Sequence, residues 1–264
     1  MALWTIWGNV TIGVSRYQIA SQRLPSGFDG FRIAVISDLH NASFGKDNKT
    51  IIDKVRDIRP DVIALTGDLV DANRTDIDVA INLVRELMAI APCYYVTGNH
   101  EAWIAGQFGL LEEGLLKEGI RVLHDEVVLL TRNGQSIQLA GLDDPDFTDR
   151  ASYLQESILQ TKLQQMNLSS DYCVLLSHRP ELFEAYANEN VDLVLSGHAH
   201  GGQFRLPFIG GLIAPNQGLF PKYDGGVYQE QNTVMIVSRG IGNSVIPIRF
   251  NNRPEIVVVE LKSE

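Results

Sequence analysis

Five of the six histidines of this chain sit in short segments that also carry Asp, Asn or Gly, and each segment ends a run of Val, Ile, Leu or Ala. The segments are Asp38-Leu39-His40, Gly98-Asn99-His100-Glu101, Ser177-His178 and Gly197-His198-Ala199-His200, and Gly67-Asp68 belongs to the same set. The apolar runs read as buried strands. Core histidines scattered for packing would not gather at strand ends beside Asp and Asn. Imidazole nitrogens and carboxylate oxygens brought to one sheet edge make a site for transition metals.

Between these segments the chain alternates. Residues 31–37 are one apolar run, and Lys49 to Ile58 has helical spacing through Ile51, Ile52, Val55 and Ile58 before Arg59-Pro60 stops it. Residues 62–66 are the next strand. Asp76 to Ile90 carries Ile77, Ala80, Ile81, Val84, Leu87 and Met88 on one stripe. Residues 94–97 form a strand, and Leu110 to Glu118 a helix closed by Gly119. Arg132-Asn133-Gly134-Gln135 between two strand-like runs predicts a hairpin. A helix over 151–165, a strand over 172–177, a helix over 181–188 after Pro180 and a strand over 191–196 follow. Residues 201–226, rich in Gly and Pro, read as a long loop, and residues 233–238 and 256–261 as β again. The expected fold is mixed α/β: a four-layer αββα sandwich of two mixed sheets flanked by helices. Ligands in such folds gather beyond the carboxyl ends of the strands. No repeat or linker divides the chain, so residues 1–264 are expected to form one domain, with 1–30 as lead-in and edge strand and 201–264 as loop and closing strands.

With 45% apolar residues the chain is a folded globular protein. A formal charge of −10 argues against non-specific nucleic-acid binding, which needs a basic surface. Cys93 and Cys173 read as small buried hydrophobes. The first twenty residues hold no apolar run long enough to span a bilayer and no signal-peptide pattern, and residues 11–20 read as an edge strand. The start, Met1-Ala2-Leu3-Trp4, leaves room for an anchor upstream, so a bacterial cytoplasmic or membrane-associated location is expected.

A lone Asp-x-His or Gly-Asp is ordinary surface polarity or a turn. Gly98-Asn99-His100-Glu101 is more specific, because an amide oxygen is a serviceable hard ligand. Gly197-His198-Ala199-His200 is specific because two imidazoles one residue apart can serve two neighbouring ions. Five such exits, the first three about thirty residues apart, make coincidence a poor explanation.

Taken together, Asp38-x-His40, Gly67-Asp68, Gly98-Asn99-His100-Glu101, His178 and Gly197-His198-x-His200 resemble the five-block signature of the calcineurin-like metallophosphoesterases. The resemblance runs from about Phe31 to His200. The stretches Gly211-Leu212-Ile213-Ala214-Pro215-Asn216-Gln217-Gly218 and Ser238-Arg239-Gly240-Ile241-Gly242 further resemble a bacterial YkuE/YaeI-type phosphodiesterase subgroup. The resemblance implies a dinuclear centre: Asp38, His40 and His200 on one ion, Asn99, His178 and His198 on the other, Asp68 bridging both, and a bridging hydroxide as nucleophile. It leaves His100 as no ligand, placed to protonate the leaving group as general acid, with Glu101 or Asp71 orienting its ring. Mixed nitrogen and oxygen donors suit two ions drawn from Mn, Fe, Zn or Co rather than Ca.

The expected activity is a metal-dependent phosphodiesterase or pyrophosphatase. Its alternatives are a phosphomonoesterase or protein phosphatase, and a non-catalytic interaction module on the same scaffold. His124 is expected to be structural, Asp143-Asp144-Pro145-Asp146 a solvated turn, Trp4 and Trp7 packing, and Arg179 and Arg239 either ion-paired or phosphate-gripping. The apolar stretch Phe204 to Phe220 is expected to fold back on the sheet. Its alternative is a wall beside the metals for a lipid-linked phosphoester, or a peripheral membrane contact.

Overall fold

In the computed structural model, which describes residues 8–243 and 246–264, the apolar runs assemble into two six-stranded mixed sheets. The reading of Trp4 and Trp7 lies outside these residues. The strands are β1 (Gly13–Ser21), β2 (Arg32–Ile36), β3 (Val62–Thr66), β4 (Cys93–Val96), β5 (Arg121–Val122), β6 (Glu126–Arg132), β7 (Gln135–Gly141), β8 (Cys173–Leu176) and β9 (Leu193–Ser196). After them come the two-residue strands β10 (Arg205–Leu206), β11 (Gly210–Gly211), β12 (Ile213–Ala214) and β13 (Gly218–Leu219), then β14 (Gly226–Glu230), β15 (Thr233–Val237) and β16 (Glu255–Ser263). The first sheet has the order β1-β16-β2-β3-β4-β5 and the second β14-β15-β9-β8-β7-β6. In the first, β2 to β5 run parallel, β16 is antiparallel to β2, and β1 pairs in parallel with β16 at the edge.

Period-two alternation on β2 shows why the layers form. Ile33 and Val35 enter an apolar cluster shared with Val174, Leu176, Leu193 and Leu195 of the second sheet, while Ala34 and Ile36 face the opposite way. That opposite face is covered by α1 (Lys49–Ile58), α2 (Ile77–Met88) and, past the short α3 (Asn99–Trp103), α4 (Phe108–Lys117). The outer face of the second sheet is covered by α5 (Ser152–Met166) and α6 (Phe183–Ala187) through Leu159, Leu163, Phe183 and Tyr186. Helix, sheet, sheet and helix thus stack around three apolar layers, the expected architecture.

The Asn133-Gly134 hairpin forms as expected, with φ of 54° and 75° at its two central residues, the positive values a tight two-residue turn needs. Residues 201–226 depart from the expected loop. They hold two small hairpins, β10–β11 and β12–β13, each two residue pairs long. Strands that short carry no alternation to read. The helix expected over 181–188 is a 3₁₀ turn, Pro180–Leu182, followed by α6.

Candidate metal centre

Every singled-out segment leaves the carboxyl end of a strand: Asp38 and His40 after β2, Asp68 after β3, Asn99 and His100 after β4, His178 after β8, His198 and His200 after β9. Asp38, His40, Asp68, His198 and His200 all have positive φ, between 46° and 66°. Non-glycine residues hold such backbone only where their surroundings fix it. Here the loops fix one another: Asp38 N–H donates to Gly67 O (3.1 Å), His40 N–H to Asp68 O (3.0 Å) and Gly197 N–H to His178 O (3.2 Å). The approach is close enough to require glycine. A β-carbon at Gly98 would collide with the Asp68 carboxylate, and one at Gly197 with Ser37 and Asp38.

The side chains converge in two groups, Asp38 with His40 and His200, and Asp68 with His178 and His198, all buried. In the first, His40 Nε2 and His200 Nε2 face each other at 3.1 Å, and Asp38 Oδ1 lies 3.5 Å from the latter. In the second, His198 Nδ1 is 3.2 Å from His178 Nε2. Asp68 Oδ2 lies between them, 3.5 Å from His40 Nε2 and 3.2 Å from His178 Nε2. Each carboxylate also fastens a loop: Asp38 accepts from His198 N–H, and Asp68 Oδ1 from His100 N–H (2.9 Å). His178 donates Nδ1–H to Thr66 O (2.7 Å), which fixes its tautomer and turns Nε2 inward.

Burial holds these imidazoles neutral, as metal ligands must be. It pulls His40 down to about 3 against Asp68, His200 to about 3 against Asp38, and His198 well below its ordinary value with Arg179 adding repulsion. His178 is the exception. Burial lowers it, but the Asp68 carboxylate overrides burial and lifts it to about 10. Among the described residues, Asn99 Oδ1 and His40 Nδ1 are buried without hydrogen-bond partners. Neutral nitrogens, two carboxylates and an unclaimed amide oxygen in two adjoining groups fit a pair of N/O-ligated transition ions.

The other residues of the signature divide. Glu101 is fully buried and accepts from the backbone N–H groups of Asp68 (2.8 Å), Gly98 (2.7 Å) and Val70 (3.3 Å), so it staples loops together. Burial and the repulsion of Asp68 raise it to about 7. Asp71 instead lies with His40 and His100 in a third buried group, with Oδ2 3.7 Å from the Arg74 guanidinium. His100 Nδ1 accepts from Ala72 N–H (2.9 Å), so in the neutral ring Nε2 carries the proton.

Several readings are corrected here. Asp143 to Asp146 is no solvated turn: Asp144 is buried and grips Arg179 through both oxygens (2.5 and 2.8 Å), and Asp146 joins from 3.1 Å. Arg179 is thereby ion-paired, with NH1 3.3 Å from His198 Nε2. Arg239 is ion-paired with Glu255. His124 is structural, as expected, bridging Asp143 (2.8 Å) and Glu112 (2.5 Å). Both cysteines are buried and free. The stretch 204–220 does not fold back throughout. Phe208, Ile209, Leu219 and Phe220 are exposed, because hairpins of two pairs are too short to turn their tips inward.

A cavity of about 640 Å³ opens over this centre. Asp68, Asn99, His100, His198 and His200 line it on the buried side, Trp103, Arg150 and Gln155 on one wall, and Ile213, Ala214, Pro215 and Ile246 on another. Sequence patterns gave no sign of Trp103, Arg150 or buried Arg249. The last donates to Gly242 O and Arg239 O and reaches within 3.4 Å of His200 Nδ1. It sits in the short run Pro247-Ile248-Arg249, with no recognisable motif around it.

The family model described as Calcineurin-like phosphoesterase matches residues 31–202. The metallophosphoesterase YkuE of Bacillus subtilis is 33% identical over 96% of this chain and 86% of its own length. The phosphodiesterase YaeI of Escherichia coli is 28% identical, covering 88% of this chain and 82% of its own. Among solved structures, the phosphopantetheinyl hydrolase of Mycobacterium tuberculosis superposes with a TM-score of 0.52 at 14% identity, over 81% of this chain and 91% of that one. At that identity the likeness speaks for the fold.

Proposed function

The chain belongs to the calcineurin-like phosphoesterase family and is a phosphoester hydrolase, and we propose that it cleaves phosphodiesters or pyrophosphates at a dinuclear centre built on Asp68. Asp38, His40 and His200 would hold one ion, Asn99, His178 and His198 the other, with Asp68 shared. When bound, the ion pair supplies a hydroxide nucleophile near neutral pH and offsets charge on the phosphoryl oxygens. The observation that carries this reading is the position of Asp68 Oδ2, within 3.5 Å of an imidazole from each group.

The chain's own residues do the rest. His100 lines the cavity and keeps its proton on Nε2 because Nδ1 is engaged by Ala72. As the nucleophile's O–P bond forms and the bond to the leaving group breaks, Nε2–H donates a hydrogen bond to the leaving oxygen, a general-acid assistance that offsets the charge growing there and leaves the ring neutral. Glu101 is spent on three backbone N–H groups and Asp71 on the N–H groups of Asn73 and Arg74 and on the Arg74 guanidinium, so it is Ala72 N–H that orients the ring. A buried Arg249 beside His200 adds positive charge that suits an anionic substrate.

The apolar wall favours a substrate whose retained half is greasy, such as a lipid-linked phosphoester. Ile213 pairs with the exposed Leu219 across β12–β13, and Phe220, exposed as well, follows with its N–H on Leu212 O, so the apolar wall continues outward along this hairpin. Arg205 and Lys222 are matched by Asp224 and Glu184, so in a chain of net charge −10 this rim is near neutral, and its exposed apolar side chains also suit a membrane surface. The test is metal analysis of the purified protein followed by hydrolysis of bis(4-nitrophenyl) phosphate and 4-nitrophenyl phosphate with added Mn. Two ions per chain and a preference for the diester support the reading. Faster hydrolysis of the monoester would make the protein a phosphatase. Equal rates on lipid-linked and water-soluble diesters would remove the lipid clause.

A further inference from the structure

The cavity has one wall that neither the ions nor the lipid clause uses. It comes from α3 and the segment leading into α5, and it carries Trp103 and Arg150. Trp103 stands one turn after His100, ring centres 4.8 Å apart and planes inclined by 37°. Its indole N–H donates to Asp146 Oδ2 (2.7 Å), and Asp146 is held in turn by Gln155 (2.8 Å) and Arg179 (3.1 Å). The ring is therefore pinned by its edge, yet the residue is 43% exposed with the cavity before it. An indole fixed at its polar edge and open toward a cavity is a stacking platform. Arg150 completes the wall. It is exposed, donates to Ala102 O at 3.3 Å, and makes no ion pair among the described residues.

We infer that Trp103 and Arg150 form a leaving-group subsite for a planar ring that bears its own negative charge. The inference rests on the proposed role of His100: the leaving oxygen that accepts from its Nε2–H must lie against His100, so whatever that oxygen carries extends over the neighbouring indole. The wall of Ile213, Pro215 and Ile246 then receives the retained half. Substrates are thereby oriented, with the anionic ring departing and the apolar half staying on the phosphoryl group. A guanidinium beside an aromatic face suits this ligand twice, by pairing with its anion and by covering the ring's edge.

The experiment compares methyl 4-nitrophenyl phosphate with its ring-carboxylated analogue in the Mn-loaded enzyme. The wild type favours the carboxylated ester in kcat/KM. Arg150→Ala lowers that preference about tenfold, the low end for a hydrogen bond to a charged group, and Arg150→Lys keeps most of it. Binding of the carboxylated nitrophenol itself, measured by isothermal titration calorimetry, weakens threefold to tenfold in Trp103→Ala and recovers in Trp103→Phe, as stacking requires. A preference unchanged by Arg150→Ala, or phenol binding unchanged by both alanine variants, overturns the subsite. Absence of turnover with phenol binding intact and variant-sensitive would sink the phosphodiesterase reading and leave the subsite standing.

Discussion

The two ends of the cavity invert what is ordinarily inside and outside a protein. On its floor Asp38, Asp68 and four imidazoles are buried, and at its rim are the small hairpins of residues 205–219, of which β12–β13 lines it, where Phe208, Ile209, Leu219 and the adjoining Phe220 stand in water. Buried charge is tolerated only when paired or bound to a cation, and a cluster of exposed large apolar side chains marks a surface that something covers. Each end is thus incomplete in the free chain, and each asks for a different chemistry. The floor asks for ions and the rim for apolar matter. The proposed substrate, a phosphoester with a greasy half, would place its phosphoryl group over the ions and its apolar half against the rim.

The sharpest way to break this contrast is at its deepest point. Asp68→Ala should cost roughly 10³-fold in turnover, the upper range for losing one transition-state electrostatic contact, and should reduce bound metal below two ions per chain by elemental analysis. Retention of two ions would show that the floor does not depend on a shared carboxylate. His100→Ala should lower turnover by about 100-fold with both ions retained, the smaller end of general-acid loss. Gly98→Ala probes the floor's packing rather than its charge. Its added methyl collides with Asp68, so stability in denaturant should fall by about 1–3 kcal/mol, whereas Gly106→Ala, with open space around it, should be tolerated.

Serine at both Phe208 and Phe220 tests the rim. Folding and turnover of a water-soluble diester should persist, and turnover of a vesicle-borne diester should drop about tenfold, as expected for two Phe rings only partly immersed in lipid. An equal effect on both substrates would merge the two ends into one.

His124, outside the cavity, gives the smallest effect. Asp143 and Glu112 raise its pKa from 6.5 to about 9 in the folded protein. The folded state therefore holds this proton more tightly than the unfolded one. The stabilisation is full below pH 6.5 and is lost as pH climbs through 9. His124→Gln should lower Tm at pH 6 by a few degrees at most, since the ring is partly exposed, and the gap to wild type should vanish by about pH 10.

The floor was legible in the sequence and the rim was not, for physical reasons. A βα unit puts its polar exit at a fixed place, so Asp38, Asp68 and Asn99 announced themselves after runs such as residues 31–37. The layered order followed from the same alternation. Phe208 and Phe220 announced only that they were apolar. Their exposure depends on β10 to β13 being two residues long, a fact set by pairing across the loop and not by any period within it. Asp144 looked like a turn residue because its partner, Arg179, lies 35 positions away. Trp103 and Arg150 carry no pattern at all. They meet because α3 and the start of α5 happen to flank one opening.

The position of β16 has a consequence for how the protein is made. This strand inserts between β1 and β2, and the stretch before it backs the first ligand loop, with Ile241 N–H on Ser37 O (3.0 Å) and Gly242 N–H on Asp38 O (2.6 Å). Register pairs Gly13 with Glu255 and Ser21 with Ser263. A ribosome-bound nascent chain lacking these last residues has a gap in its first sheet and an unsupported Asp38. The first ligand group is therefore backed on both sides only in a chain that has added residues 241–263, which join the oldest part of the sheet to the youngest.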